Sequence, residues 1–256
     1  MSNTKVSNAD QAFDDTDAFR REVDQNIERL GAARDLQDAG MEFLSKSSRL
    51  KYSYNFSWMG LPIIQFPQDI VAMQELLWKV KPDTVIETGI ARGESLVFYA
   101  AMMEMMGIQH GKVIGIDIDI RPHNRRAIEA HPMSKRITLI EGSSIDPATV
   151  SRIKALVNSD GKTLVCLDSM HTHAHVLEEL RLYHAFVTSG SYLVVFDTCI
   201  EHMPTDFFPN RPWSRGNNPY TAVQEFLKEN DGFEVDHKIP DKLLITTARS
   251  GYLRKK

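Results

Sequence analysis

The stretch VIETGIARGES, residues 85–95, decides the fold of this chain. An apolar run ends at Glu87, Gly89 and Gly93 follow, and an apolar segment with helical spacing begins beside Ser95. Glycines allow a tight turn and a close approach of the backbone to a ligand, and the first turn of a helix offers free N–H groups to a carboxylate. The stretch therefore predicts a buried strand, a glycine loop and a helix that together bind a nucleotide-like cofactor.

The chain on either side of this stretch alternates between strand-like and helix-like segments. The predicted strands are residues 84–88, 112–118, 137–141, 163–167 and 191–196, and the predicted helices are residues 94–106, 122–130, 147–157, 173–187 and 220–229. Apolar, β-branched strands that alternate with helices predict a parallel sheet covered on both faces. Residues 233–237 and 242–248, joined by a short Pro240-Asp241 turn, predict a terminal strand hairpin. The expected fold is α/β, a doubly wound parallel sheet with a C-terminal antiparallel hairpin, which is the layout of the class I methyltransferase fold.

Length and composition set the broad class of the protein. The 256 residues carry a net charge of −4, which gives no reason to expect nucleic acid as a partner. No apolar stretch reaches the roughly 18 residues of a membrane span, and Cys166 and Cys199 lie in apolar runs without metal-type spacing. We expect a cytoplasmic protein with a helical extension at residues 1–50, a cofactor-binding domain at residues 51–256, and assembly into a homo-oligomer.

Polar side chains at the ends of the predicted strands indicate which cofactor is bound. Asp117 ends the second strand, where a carboxylate commonly accepts both ribose hydroxyls of a cofactor. The predicted cofactor-binding residues are Glu87, Gly89, Gly93, Ser95, Asp117, Ser143 and Ser144. The chain lacks the G-x-G-x-x-G fingerprint that holds a pyrophosphate, so S-adenosylmethionine is favoured over NAD. An NAD(P)-dependent oxidoreductase remains an open alternative.

Two further aspartates predict a reaction centre. Asp168 ends the fourth predicted strand and Asp197 ends the fifth, and adjacent carboxylates make an oxygen-rich site that suits Mg²⁺. Such an ion would lower the pKa of an acceptor hydroxyl. His171, three residues after Asp168, is the predicted catalytic base because imidazole takes up protons near neutral pH.

The histidine triplet in this segment leaves another alternative open. His171, His173 and His175 enter a predicted helix, on which the first and last share a face while His173 points elsewhere. A three-histidine chelate is therefore disfavoured, and His173 and His175 are expected at the helix start or behind the site. An enzyme whose transition-metal ion is bound by histidines remains an alternative to the methyltransferase function.

Two segments rich in aromatic side chains are candidates for the walls of the site. Residues 52–70 suggest a cover over the sheet edge, or packing against the core. Residues 207–226 carry Arg211, Trp213, Arg215, Asn217 and Asn218, a set that suits a polyhydroxylated substrate and equally suits an anchored loop.

These motifs together resemble the cephalosporin hydroxylase/rhamnosyl O-methyltransferase family. The similarity runs from about Trp58 to Leu253, through GLPIIQFPQD, VIETGIARGES, GIDIDIRPHNR, LDSMHTHAHVLEELRLY, GSYLVVFDT and RPWSRGNNP. The resemblance implies an S-adenosylmethionine-dependent O-methyltransferase, metal-assisted and oligomeric, that acts on a hydroxyl of a sugar, a glycolipid or a secondary metabolite in polysaccharide or lipid biosynthesis.

The site is also similar to that of catechol-type O-methyltransferases. By that likeness Asp168, Asp197 and Thr198 hold the metal, with Thr198 in place of an Asn, and His171 stands at the position of a Lys base. One departure concerns the antibiotic-modifying branch of the family, which has Glu-Asp where this chain has Phe196-Asp197. The activity of the antibiotic-modifying branch is therefore less expected for this chain than methylation of a sugar hydroxyl. The missing carboxylate also predicts that the site binds a metal ion weakly.

Overall fold

The computed structural model describes the backbone of residues 8–256 and the side chains of residues 16–256. The strands are β1 (Phe56–Trp58), β2 (Leu61–Ile63), β3 (Thr84–Thr88), β4 (Lys112–Asp117), β5 (Ile137–Glu141), β6 (Thr163–Leu167), β7 (Tyr192–Val195), β8 (Phe233–Val235) and β9 (Tyr252–Lys255). The α-helices are α1 (Asn8–Ala32), α2 (Arg34–Arg49), α3 (Pro67–Val80), α4 (Glu94–Met105), α5 (Pro122–Ala130), α6 (Pro147–Leu156), α7 (His173–Tyr183), α8 (Pro219–Glu229) and α9 (Lys238–Leu243).

The main sheet has the strand order β5-β4-β3-β6-β7-β9-β8. Strands β3 to β7 are parallel, and β9 runs antiparallel to both β7 and β8. The order reverses between β3 and β6, so the connections that leave these two strands diverge. In open α/β sheets this divergence leaves a crevice at the carboxyl ends of the strands, and most of the predicted site residues lie there.

Apolar side chains cover both faces of the main sheet. One core cluster joins the sheet to α3 and α4 and includes Leu76, Phe98 and Val113. The other joins it to α6, α7 and α8 and includes Leu180 and Phe226. The central strands β3 and β6 are buried along their whole length, as expected for strands that are apolar on both faces.

The predicted terminal hairpin is right in kind but wrong in the position of its second strand. Residues 242–248 do not form a strand; α9 and a loop occupy that region, and β9 follows at Tyr252–Lys255. The physical reason is the carboxylate of Asp69, fully buried in α3, which accepts hydrogen bonds from the Thr246 hydroxyl and from the Thr247 backbone and hydroxyl. These bonds hold the loop against α3 instead of leaving it free to pair with β8.

The part of the predicted N-terminal extension that the structure describes, residues 8–49, contains the helices α1 and α2. Helix α1 lies against α9, and α2 reaches the carboxyl edge of the sheet. A small two-stranded sheet, β1 with β2, then leads into α3. Within the described part of the chain, no helix is both long enough and apolar enough to cross a membrane.

Candidate functional site

A cavity of about 750 Å³ opens at the carboxyl ends of β3, β4, β6 and β7. Its floor is formed by the glycine loop after β3 and by the residues that follow the other strands. Among the predicted residues, those that line it are Gly89, Ser95, Asp117, Ser143, Ser144, Asp168, His171 and Asp197. The folding of the sheet therefore brings most of the residues predicted from separate motifs to one place.

Gly89 permits the closest backbone contact in this floor. Its φ is +79°, a left-handed conformation, and a Cβ atom placed there would lie 2.1 Å from the carbonyl oxygen of Asp168. The amide of Asp168 also donates to the carbonyl of Thr88 at 2.9 Å. Only glycine fits between the two strand ends, and its absence of a side chain lets the Asp168 segment lie directly against the glycine loop.

The reaction centre is a cluster of Asp168, His171 and Asp197. One possible ligand atom from each residue lies within 4.8 Å of the others, and the His171 Nε2 lies 3.2 Å from the Asp197 Oδ2. Burial, and next the nearby Asp197 carboxylate, raise the pKa of Asp168 well above its usual range. Asp197 has a φ of +57° at the end of β7, a conformation that Asp tolerates better than most residues.

Thr198 does not join this cluster. Its hydroxyl donates to the Thr247 carbonyl at 3.3 Å and accepts from the Ser250 amide at 3.2 Å, and the residue is fully buried. The expectation that Thr198 is a metal ligand is therefore corrected by these bonds, which commit its hydroxyl to the C-terminal loop.

Glu87 and Gly93 support the floor of the cavity from behind it. The Glu87 carboxyl accepts hydrogen bonds from the Ser95 hydroxyl and, at 2.7 Å, from the Tyr99 hydroxyl, and burial raises its pKa to about 7. A Cβ at Gly93 would lie 2.1 Å from the Ile128 side chain. Neither residue lines the cavity, so the structure corrects the prediction that Glu87 and Gly93 contact the cofactor.

Asp117 lies at the cavity wall and also shapes it. Its Oδ2 accepts from the Ile90 amide at 3.0 Å and its Oδ1 accepts from the Asp119 amide at 3.1 Å. Each carboxylate oxygen has a second lone pair, so Asp117 retains the capacity to accept from a ligand hydroxyl.

Ser144 is fixed by two side chains of α7. Its hydroxyl lies 3.1 Å from the His175 Nε2, and its carbonyl accepts from the Tyr183 hydroxyl at 2.9 Å. His175 in turn lies 3.5 Å from the fully buried carboxylate of Glu179. The loop after β5, with Ser143, is therefore held in place at the cavity.

The three histidines have three separate partners among the described residues. His171 faces Asp197 and His175 faces Ser144. The His173 Nδ1 lies 2.8 Å from the Thr221 hydroxyl and its Nε2 lies 3.2 Å from the Glu225 carboxylate. His173 begins α7, so its side chain connects α7 to α8.

The loop of residues 207–226 divides into a cavity wall and an anchor. Trp213 lines the cavity, its ring lies edge-on to His171 with centroids 4.8 Å apart, and the Arg211 guanidinium lies 5.1 Å from the Trp213 ring. Arg215 and Asn218 instead bind Glu201, and Asn218 also caps α8. One half of the loop therefore lines the cavity, and the other half is anchored to Glu201.

The segment before α3 forms the opposite wall, and α2 adds to it. The residues of these two segments that line the cavity are Leu44, Ser48, Lys51, Ser53, Tyr54, Ile63, Ile64, Gln65 and Phe66. The interpretation of residues 52–70 as a cover is consistent with this position. Trp58 packs against Phe98 in the core, with ring centroids 4.9 Å apart, so the packing interpretation also holds.

Glu94 and Gln65 are cavity residues that sequence reasoning missed. Glu94 is the first residue of α4 and is 4% exposed, and Gln65 is 8% exposed. The sequence did carry a signal for Glu94, because it is a charged residue directly after Gly93 of the glycine loop. No sequence signal indicated the second.

Comparisons with solved structures agree with this fold. The fold is the class I methyltransferase fold, with the cavity at the carboxyl edge of its sheet. The solved structure of CmcI with Mg and SAM superposes with a TM-score of 0.57 at 21% identity and covers 79% of this chain and 77% of that one. The O-methyltransferase from Bacillus cereus in complex with SAH gives a TM-score of 0.52 at 12% identity, covering 84% and 87%.

Sequence comparison then identifies the family. The model of the Rhamnosyl O-methyltransferase/CmcI family matches residues 50–256. A rhamnosyl O-methyltransferase of Mycobacterium leprae is 32% identical over 202 residues, which cover 78% of this chain and 83% of the relative. That of Mycobacterium tuberculosis H37Rv is 32% identical over 203 residues, 77% of each chain. The chain belongs to the Rhamnosyl O-methyltransferase/CmcI family and is an O-methyltransferase, which confirms the resemblance and removes the basis for the oxidoreductase alternative.

Proposed function

We propose that the protein transfers the methyl group of S-adenosylmethionine to a hydroxyl group of a sugar, assisted by a divalent metal ion. The observation that carries the proposal is the cluster of Asp168, His171 and Asp197 beside the glycine loop, in a cavity large enough for a cofactor and an acceptor. The relatives named rhamnosyl O-methyltransferase and the Mg and SAM bound to CmcI support the same chemistry.

The donor set of the cluster fits a divalent ion. Two carboxylates from neighbouring strands approach each other in a partly enclosed site, where burial first, and then the nearby Asp197 carboxylate, raise the pKa of Asp168 because the ionised form is disfavoured. A cation would favour that ionised form. Asp168 and Asp197 would hold Mg²⁺ or Mn²⁺, since Mg²⁺ needs only one or two protein carboxylates and prefers oxygen ligands. When bound, the ion would supply a Lewis acid that lowers the pKa of the acceptor hydroxyl.

The cavity also fits S-adenosylmethionine. Gly89 brings the backbone of the glycine loop to the cavity surface, Asp117 would accept hydrogen bonds from the ribose hydroxyls, and Ser143 and Ser144 would flank the adenine. Ser95 offers its backbone N–H, because its hydroxyl is committed to Glu87. The cofactor supplies the activated methyl group, so the protein has to orient the acceptor oxygen and remove its proton.

His171 is the residue that we propose removes that proton. Its Nε2 faces Asp197, whose carboxylate would orient the ring and stabilise the imidazolium after proton uptake. Its side chain is 15% exposed, and the Trp213 ring beside it limits the access of water. The proton therefore passes from the acceptor oxygen to an imidazole nitrogen that is already held in position.

The mouth of the cavity suits a sugar. Trp213 offers an aromatic surface on which a sugar ring can stack, and Arg211 and Ser48 add hydrogen-bond donors around the opening. Phe207 and Phe208 extend this wall, with ring centroids 4.7 Å apart. The acceptor would therefore lie between α2 and the loop after β7.

Three expectations about context remain proposals: a homo-oligomer, a cytoplasmic location, and a role in polysaccharide or lipid biosynthesis. Phe19, Leu36 and Phe43 on α1 and α2 are more than two-fifths exposed, and exposed apolar side chains favour burial against another chain. Light scattering of the purified chain, with Phe19→Ser as a comparison, tests the first; a monomer at all concentrations would contradict it.

The proposed function is tested by binding and turnover of the full chain. Calorimetry should show S-adenosylhomocysteine binding and no NADH binding. Mn²⁺ should bind to the wild type and to an Asp231→Asn control, whose exposed aspartate lies on the loop before β8, but not to Asp168→Asn. Methyl transfer from labelled S-adenosylmethionine to a panel of rhamnosides should stop after EDTA treatment and return with Mg²⁺. Full turnover after exhaustive EDTA treatment would refute the metal-assisted reaction.

A further inference from the structure

Two buried side chains on the cavity wall have an oxygen atom with no partner among the described residues. The Oε1 of Glu94 accepts from the Ile64 amide at 3.0 Å, but its Oε2 is buried and accepts no hydrogen bond. The Oε1 of Gln65, the residue after Ile64, is also buried and accepts none. Buried polar atoms in folded proteins are almost always hydrogen-bonded, so an unpartnered pair on one cavity wall points to a donor that a ligand brings.

The other carboxylates of the cavity already have a role. Asp117 accepts two backbone amides, and Asp168 and Asp197 face His171 in the reaction centre. Glu94 stands apart from both groups, at the start of α4 and directly after the glycine loop. Its surroundings provide no lysine or arginine within ion-pairing distance among the described residues.

We infer that Glu94 and Gln65 bind the α-ammonium group of the methionine portion of S-adenosylmethionine. The inference rests on the proposed function, since it assigns one end of that cofactor. An ammonium group has three N–H donors and no acceptor, so it can donate to the unpartnered Oε2 of Glu94 and Oε1 of Gln65. The first turn of α4 would at the same time receive the carboxylate of the same amino acid, so both charges of the methionine portion would be met at the glycine loop.

The charge of Glu94 agrees with this assignment. Burial raises the pKa of Glu94 to about 7, against the lowering effects of the backbone amides of Glu94 and Ile64 and of the positive charge of Arg92. Glu87 and Asp168 are the other carboxyls whose pKa responds to Glu94. A bound ammonium favours the ionised carboxylate, so cofactor binding would lower the pKa of Glu94 and release part of a proton near neutral pH.

The assignment is tested by comparing two ligands that differ only at the amino-acid end. S-adenosylhomocysteine carries the ammonium group, and 5′-methylthioadenosine lacks the whole amino-acid portion. Calorimetry of the full chain should show that Glu94→Gln weakens S-adenosylhomocysteine binding roughly 10- to 100-fold, as expected for a lost charge-assisted hydrogen bond. The same variant should bind 5′-methylthioadenosine within about twofold of the wild type, because Gln retains the bond to the Ile64 amide.

Glu104→Gln is the matched control, since Glu104 lies on the same helix and binds Lys135 and Arg136 outside the cavity. It should change neither affinity. Gln65→Ala should weaken S-adenosylhomocysteine roughly 3- to 10-fold and leave 5′-methylthioadenosine unchanged.

Three results would overturn the inference. Equal losses for both ligands in Glu94→Gln would mean that Glu94 only maintains the shape of the cavity. Unchanged affinity for both would remove it from the ammonium site. If the wild type bound neither ligand, the proposed function itself would fail. This outcome is distinguishable from the first two because it is measured on the wild type, whereas they are measured on Glu94→Gln.

Discussion

Replacement of Gly89 by alanine tests the close contact on which the floor of the site depends. The residue has a φ of +79°, and a non-glycine residue in the left-handed region costs about 1–2 kcal/mol. The added Cβ would also lie 2.1 Å from the Asp168 carbonyl oxygen and 2.6 Å from the Ser169 Cα. Because both atoms belong to backbone next to β6, they cannot rotate away as a flexible side chain would.

The cost of this overlap is separable from the cost of the backbone conformation. Forced overpacking in a well-packed region costs about 1–3 kcal/mol and occasionally more. Gly190 has a φ of +76° and no atom within 4 Å of an added Cβ, so Gly190→Ala carries the backbone cost alone. The entropy that alanine removes from the unfolded chain is the same for both variants. We expect Gly190→Ala to lose about 1–2 kcal/mol of unfolding free energy and Gly89→Ala to lose about 2–5 kcal/mol.

Urea denaturation followed by circular dichroism gives the unfolding free energies of the two variants. Titration with Mn²⁺ gives the affinity of the metal site in each of them. Gly89→Ala should weaken Mn²⁺ binding because the Asp168 backbone has to move, whereas Gly190→Ala should leave it unchanged. If the two variants lose the same stability, the close approach of the glycine loop to Asp168 does not exist in the protein and the reasoning is refuted.

Three other expectations concern single groups. His171→Ala should slow methyl transfer roughly 10²–10⁴-fold with little change in S-adenosylhomocysteine affinity; calorimetry that shows lost cofactor binding would make His171 structural. Asp69→Asn should lower the urea-derived stability by about 2–3 kcal/mol, because the amide cannot accept all the bonds from Thr247 and Tyr252; an unchanged midpoint would contradict this. Burial raises the pKa of Glu87 from 4.5 to about 7, so the folded state binds the extra proton. The stabilisation that the protonated Glu87 contributes is fully present below pH 4.5 and is lost as the pH rises through about 7. Glu87→Gln should therefore flatten the stability–pH curve in this range. Identical curves for the variant and the wild type would refute the raised pKa of Glu87.

Much of the sheet and of the reaction centre could be predicted from local patterns. Apolar runs with β-branched residues marked β3 to β7 to within a residue or two at their ends. Asp168 and Asp197 were placed together because the carboxyl ends of parallel strands meet at one edge of a sheet. Here the local pattern determines the position, since adjacent strands leave little freedom to the residues that follow them.

The errors occurred where contacts between distant residues decide the structure. Both Glu87 and Glu94 are carboxylates of the glycine loop region, but Ser95 and Tyr99 enclose the first and leave the second at the cavity. Thr198 follows Asp197 directly, yet its hydroxyl is committed to a loop that lies 49 residues later in the chain. Neither outcome has a periodic signature in the sequence.

The sequence by itself determined the class of fold, the glycine loop and the pair of strand-end aspartates, because periodicity and residue type act over a few neighbouring positions. The tertiary structure alone decided that α2 and Gln65 form a wall of the site and that β9 begins at Tyr252 rather than at Lys242. Asp69 shows the physical reason: it fixes Thr247 across 178 residues of chain. A buried carboxylate must find its donors wherever the packed fold provides them, and local sequence does not specify where that is.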